Sequence, residues 1–274
     1  VLSTLAACGP VNPPIKNPLK SNPSSLPLET IRLPEGFKIE VFEDSLENAR
    51  SLCYSPNGTL FVGTRGEGKV YALRDTDGDF VADERYTLAE DLEMPNGVAF
   101  LDGALYVAEV SRILKFPDIE NKLDKPGEPE VVYDQFPTEK HHGWKYIAFG
   151  PDGKLYVSVG DGADAHTANS MNSLLGKVLR LNDDGSIPAD NPFYAQTTGD
   201  YRAIWAVGLR NSFSTAMHPE SGLLFGCDVG SNLFEEVNNI TAGGYYGWPE
   251  LEGYQTNEIL PDNYTDPLYA YNHD

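Results

Sequence analysis

Short apolar runs broken by polar turns recur along this chain, and one unit of the pattern repeats. Four stretches share a strand, a tight turn and a second strand: Ser55-Pro56-Asn57-Gly58-Thr59-Leu60-Phe61-Val62, Leu101-Asp102-Gly103-Ala104-Leu105-Tyr106-Val107, Gly150-Pro151-Asp152-Gly153-Lys154-Leu155-Tyr156-Val157 and His218-Pro219-Glu220-Ser221-Gly222-Leu223-Leu224-Phe225. Asn-Gly and Asp-Gly suit tight hairpins because both residues tolerate positive φ. A third apolar run follows three of the turns, at 69–73, 112–116 and 177–181. Helical periodicity is scarce, which sets aside helical folds. Several strands repeating at roughly 40–50 residues predict an all-β chain built of β-propeller blades. Four unrelated hairpins of a sandwich would not be expected to share one turn signature.

Composition agrees. The 20 Pro and 26 Gly suit short strands and many turns. A length of 274 residues suits one large β domain. Four blade cores are visible, and the chain stops inside a new aromatic segment at Tyr271-Asn272-His273-Asp274. It therefore reads as a fragment holding about four to five blades, with more expected beyond Asp274. The apolar run at 37–42 is a candidate strand for closing the ring.

Charge narrows the partners. The net charge is −21 and the pI near 4.5. A surface of that sign repels nucleic-acid phosphates, which excludes nucleic acid as a partner. No apolar run reaches the roughly 18 residues of a membrane-spanning helix. Leu5-Ala6-Ala7-Cys8 resembles a bacterial lipobox, whose cysteine becomes the lipidated first residue of the mature protein. The expected layout is a signal remnant at 1–8, a Pro/Asn/Ser-rich tether at 9–30 and a partial propeller at 31–274. Such a protein meets the membrane by its lipid alone, in the periplasm or at the cell surface. Cys53 and Cys227 sit in apolar runs and read as small buried hydrophobes.

Three stretches carry candidate chemistry. His142, in Lys140-His141-His142-Gly143-Trp144-Lys145, lies on a loop beside a repeated strand pair. An imidazole there can accept a proton at neutral pH. The run from Asp75 to Glu84 places carboxylates at Asp75, Asp77, Asp79 and Asp83, with Gly78 between. That spacing can wrap a hard cation in oxygen, although the full EF-hand pattern is absent. In the fourth unit, Arg210 offers a planar fork for a carboxylate or quinone oxygen. Gly230 allows close backbone approach, and Glu235, Glu236 and Asn238 supply oxygens.

Together these residues resemble the soluble quinoprotein sugar dehydrogenases, the glucose, aldose and sorbosone dehydrogenase group that uses pyrroloquinoline quinone (PQQ). The resemblance runs from about Leu33 to Gly253. It rests on His142 followed by Gly150-Pro151-Asp152, on Gly208-Leu209-Arg210-Asn211, and on Asp228-Val229-Gly230 with Glu235-Glu236-Val237-Asn238. Tyr246-Gly247-Trp248-Pro249 and the segment from Arg180 to Phe193 extend it. It implies a six-bladed propeller, with His142 as catalytic base and Arg210 and Asn211 on the cofactor. It also implies calcium beside the quinone on the carbonyls of Gly230 and Ser231, with Glu235 nearby. The implied reaction oxidises a sugar or sugar-derived aldehyde and passes electrons to an acceptor such as a cytochrome or quinone. This chain departs from the family in Lys145-Tyr146-Ile147, where many members have Gly-Arg-Leu, and in Ser231, where Pro is frequent. Two alternatives stay open at this point: a calcium-dependent lactonase on a similar propeller, and a non-catalytic, lipid-anchored binding module.

Overall fold

The computed structural model describes residues 26–255 and 260–273. Cys8, the signal remnant and most of the tether lie outside the described residues. Among the described residues, sixteen strands form four antiparallel sheets of four, each a meander in chain order. Blade 1 holds β1 (Ala49–Tyr54), β2 (Leu60–Thr64), β3 (Val70–Arg74) and β4 (Glu84–Ala89). Blade 2 holds β5 (Gly97–Leu101), β6 (Ala104–Ala108), β7 (Ile113–Phe116) and β8 (Glu130–Tyr133). Blade 3 holds β9 (Tyr146–Phe149), β10 (Leu155–Val159), β11 (Lys177–Leu181) and β12 (Ile204–Val207). Blade 4 holds β13 (Ser212–Met217), β14 (Leu224–Asp228), β15 (Phe234–Ile240) and β16 (Tyr269–Asn272).

Each predicted turn joins the first two strands of its own sheet. Asp102 and Gly103 show why the signature is needed, with φ of 47° and 82°. Two consecutive positive φ values are the primed hairpin geometry, whose twist matches the flanking strands.

The first strands neighbour one another in order, β1 beside β5, β5 beside β9 and β9 beside β13. Successive blades thus pack face to face, and most strands are covered on both sides. Phe61, Val70 and Ala72 of blade 1 meet Leu105, Val107 and Leu114 of blade 2. Tyr106 and Ile113 of blade 2 meet Ile147, Val157 and Leu179 of blade 3. Tyr156, Val178 and Ala206 of blade 3 meet Leu224 and Ile240 of blade 4. Period-2 alternation therefore sends neighbouring side chains into two different cores, and strands such as β2 and β6 read as unbroken apolar runs.

The two end blades keep apolar side chains in the open. Leu52 and Tyr54 on β1 are 56% and 60% exposed, and Tyr269 and Tyr271 on β16 are 59% and 52%. Four blades with apolar side chains left exposed on β1 and β16 fit a fragment of a six-bladed ring. Two expectations change. Residues 37–42 form no strand; Phe42 instead packs with Leu46 against the outer face of blade 1. Cys227 is exposed rather than buried, because its side of β14 faces away from blade 3.

Meander topology also sorts the loops. Connections that enter the first strand or join strands two and three lie at one rim. The hairpin turns, and the connections between strands three and four, lie at the other. The loops of His142 and of Gly208 to Asn211 enter β9 and β13, and Gly230–Ser231 joins β14 to β15, so all share a rim. The Asp75–Asp83 loop joins β3 to β4 at the opposite rim.

Leu105 is fully buried between blades 1 and 2. Leu105→Ala should lower unfolding free energy by about 2–5 kcal/mol, read by urea titration. A loss below about 1 kcal/mol would show that the blades do not interlock there.

Candidate active site

A buried carboxylate joins the site. Asp161, where the chain leaves β10, is 2% exposed. Its Oδ1 lies 2.6 Å from His142 Nδ1 and accepts the Ala163 amide at 2.9 Å. Its Oδ2 accepts Trp248 Nε1 at 3.0 Å. Its own amide donates to the Arg210 carbonyl at 2.7 Å. One residue thus ties the base loop of blade 3, the entry to blade 4 and the turn carrying Trp248. Burial pushes the Asp161 carboxyl up, but the hydrogen bonds from His142, Ala163 and Trp248 win and hold it below the usual carboxylate range. An ionised partner assigns the proton to His142 Nδ1 and leaves Nε2 as an acceptor.

His142 needs unusual backbone to reach this carboxylate. Its φ is 51°, a region that side chains other than glycine seldom occupy. Gly160 makes room for it: a Cβ there would lie 2.5 Å from the His142 carbonyl oxygen and 2.6 Å from its Cβ. His141 is exposed, and its ring lies tilted beside that of His142 with centroids 4.3 Å apart.

A second carboxylate organises blade 4. Asp228 accepts the consecutive amides of Arg210 at 2.9 Å and Asn211 at 2.8 Å. The Arg210 guanidinium donates from Nη1 to the Val229 carbonyl at 3.0 Å and lies 5.4 Å from the Trp248 ring. Its remaining N–H groups have no protein acceptor among the described residues. Burial pushes Asp228 up to about 7, aided by the charge of Glu236 and opposed by the two amides.

A third carboxylate gathers the Gly230 loop. Glu252 Oε1 accepts the amides of Ser231, Asn232, Leu233 and Phe234 at 3.0–3.4 Å. A trans peptide sets its carbonyl opposite its N–H. The Gly230 and Ser231 carbonyls therefore point away from Glu252, and neither accepts a hydrogen bond among the described residues. A Cβ on Gly230 would lie 1.7 Å from the Phe234 carbonyl oxygen, so only glycine closes this turn. Glu235 stands apart, paired with His273 at 2.8 Å across β15 and β16.

On the opposite rim, single oxygens of Asp75, Asp77 and Asp83 lie within 4.8 Å of one another, and Asp79 is not in that group. Asp161, Asp228, Glu252 and Trp248 had no role assigned from the sequence. The signal available for Asp161 was Gly160-Asp161-Gly162 at the exit of a buried strand, where two glycines flank one acid.

A family model described as glucose/sorbosone dehydrogenase matches residues 101–273. The chain belongs to the glucose/sorbosone dehydrogenase family. Quinoprotein glucose dehydrogenase B of Acinetobacter calcoaceticus is 28% identical over 268 residues, covering 81% of this chain and 54% of that protein. The HIPL2 protein of Arabidopsis thaliana is 37% identical over 183 residues, covering 56% of this chain and 26% of that protein. Among solved structures, the PQQ-bound form of aldose sugar dehydrogenase from Streptomyces coelicolor matches with a TM-score of 0.70 at 25% identity, covering 85% of this chain and 71% of that one. The chain thus spans from about a quarter to about half the length of these two curated relatives. The family resemblance and the propeller read from the sequence both hold.

Asp228 sets a pH dependence with a definite sign. Its folded pKa, about 7, lies above an unfolded value near ~3.9. Between those values the folded chain holds the extra proton, so stability should fall as pH rises through that window and level off above it. The slope should not exceed about 1.4 kcal/mol per pH unit. Asp228→Asn should flatten this segment in urea titrations between pH 4 and 8. A wild-type minus Asp228→Asn difference that rises across the window would refute the assignment.

Proposed function

We propose that this protein is a quinoprotein oxidoreductase that oxidises a sugar or sugar-derived aldehyde, using PQQ held beside calcium. The observation that carries the reading is the convergence of His142, Asp161 and the Arg210–Asn211 pair on one rim, joined by the 2.6 Å and 2.7 Å bonds of Asp161.

The donor set fits the cofactor. Arg210 keeps N–H groups free for quinone or carboxylate oxygen, and Asn211 lies beside it. The outward carbonyls of Gly230 and Ser231 are neutral oxygen donors of the kind a hard cation takes. Bound PQQ would supply a two-electron acceptor for the hydride from the sugar carbon.

The chain's own residues do the rest. His142 Nδ1–H is fixed on Asp161, so Nε2 is free to take the proton of the sugar hydroxyl. Asp161 holds the ring in that tautomer and stabilises the imidazolium that forms. Arg210 places positive charge where negative charge develops. The lactonase alternative needs several side-chain carboxylates about the axis. The one metal-spaced acidic group among the described residues, Asp75, Asp77 and Asp83, lies on the opposite rim, where bound calcium would be structural. A lipid anchor at Cys8, a periplasmic or cell-surface setting and a cytochrome or quinone acceptor complete the proposal. They rest on Leu5-Ala6-Ala7-Cys8 and on the chemistry of the reaction.

Full-length protein loaded with PQQ and calcium should reduce an artificial dye with an aldose or sorbosone-like donor, and a chelator should abolish this. His142→Ala should lower turnover by about 10²–10⁴-fold while largely sparing quinone binding. Arg210→Ala should weaken both. No quinone spectrum and no dye reduction across a broad aldose panel would favour the non-catalytic propeller.

A further inference from the structure

Two guanidiniums from blade 1 reach the rim that carries His142 and Arg210. Arg65, in the connection from β2 to β3, sets its Cζ 3.7 Å from the centroid of the Trp144 ring. Arg50, on β1, sets its Cζ 4.6 Å from the Phe213 ring. Trp144 lies two residues beyond His142 and Phe213 two beyond Asn211. The rings touch edge to face at 5.9 Å, and Trp144 meets His142 the same way at 6.5 Å. This aromatic pair thus adjoins both the base and the cofactor-side loop.

The donors here lack acceptors. Neither guanidinium has an ion pair or a side-chain hydrogen bond among the described residues. The chain has 41 acidic side chains against 20 Lys and Arg, yet none of the acids among the described residues pairs with Arg50 or Arg65. Nearby charges are engaged elsewhere: Glu67 pairs with Lys69 at 2.8 Å, Glu93 with Lys140 at 2.8 Å, and Glu109 with Arg112. Trp144 Nε1 is buried with no hydrogen-bond partner. A buried donor left alone is costly, but this one has no open surface, so a ligand would meet the two guanidiniums rather than the indole N–H. The geometry favours one. A guanidinium stacked on an indole face keeps its N–H groups in its own plane, free for a bidentate carboxylate. Arg65 is held in place, since its amide donates to the Asn48 carbonyl at 3.2 Å and the Gly66 amide to Asn48 Oδ1 at 3.2 Å.

We propose that Arg65, Arg50 and Trp144 form a subsite for a carboxylate, and that the sugar oxidised beside His142 is an acidic aldose of the uronic-acid class. This rests on the sugar-dehydrogenase reading of the site. A quinone cofactor can also present carboxylates, so the two sources must be separated.

The test uses full-length protein without cofactor, titrated calorimetrically with glucuronate and with the neutral glucuronamide. Glucuronate should bind about tenfold or more tightly, the range of charge-assisted hydrogen bonds, and added salt should shrink the ratio. Arg65→Gln should bring the ratio close to one, and Arg65→Lys should retain part of it, as charge without the fork. Arg50→Gln serves as a second variant should Arg65→Gln fail to fold by circular dichroism. Equal affinities, no binding of either sugar, or a ratio indifferent to both glutamine variants would overturn the proposal. An absorbance titration with PQQ separates the sources. If Arg65→Gln weakens quinone binding tenfold and leaves the sugar ratio intact, the guanidiniums serve the cofactor and the proposal is wrong. Calorimetry needs no turnover, so a protein that binds glucuronate selectively but oxidises nothing would sink the dehydrogenase reading while leaving this subsite standing.

Discussion

Every interior sheet of this molecule must be covered on both faces, and the rest of the structure follows from that constraint. A four-stranded sheet with apolar residues on both sides is not stable in water alone. Packing successive sheets face to face answers the problem, and it also fixes where the loops go. Because β1, β5, β9 and β13 neighbour one another in order, the connections that enter them are brought together at one rim. A base from blade 3 and a guanidinium from blade 4, far apart in sequence, are brought to one rim by this packing, and Asp161 then ties their loops together. Burial of apolar area, at roughly 25 cal/mol per Å², fixes the blades, and the blades fix the chemistry.

The rim loops are not regular structure, so their backbone amides need other acceptors. Three carboxylates supply them. Asp161 takes one amide plus the two rings of His142 and Trp248, Asp228 takes two consecutive amides, and Glu252 takes four. Each does local work and each has a chemical consequence. Asp161 sets the tautomer of His142. Asp228 orients the peptide that presents Arg210 and Asn211. Glu252 turns the Gly230 and Ser231 carbonyls outward. The same groups therefore serve folding and function, and their removal would disturb both.

This explains what could be read from the chain and what could not. The hairpin turns were legible because Asn57-Gly58, Asp102-Gly103 and Asp152-Gly153 carry a local conformational demand that no distant residue can alter. His142, Arg210, Asn211 and Gly230 stood out by residue type and by family motif. Asp228 and Glu252 did not, because nothing local distinguishes an acid that accepts amides from one in water, and Asp161 was marked only by its flanking glycines. Asp228 meets Arg210 across 18 positions, Glu252 meets Ser231 across 21, and Trp248 meets Asp161 across 87. Residues 37–42 form no strand for a related reason: an apolar alternating run becomes a strand only where an edge is present to pair with it. The resemblance places Glu235 near the Gly230 carbonyls; in the fold Glu235 pairs with His273, and the next acid, Glu236, turns inward beside Asn238.

The two rims also differ in kind. At the hairpin rim, the Asp75–Asp83 loop folds on itself: Asp75 accepts the amides of Gly78 and Phe80, and Asp83 accepts Thr76. Such a loop holds its own shape, and a cation there would reinforce what is already formed. At the other rim the organising acids are spent inward on backbone and on His142, so the surface left to a ligand is built of donors and neutral carbonyls. Arg210 N–H groups and the Gly230 and Ser231 carbonyls remain for a ligand to satisfy. An acidic protein thereby presents hydrogen-bond donors at that rim, because Asp161 and Asp228 are buried beneath the groups they position.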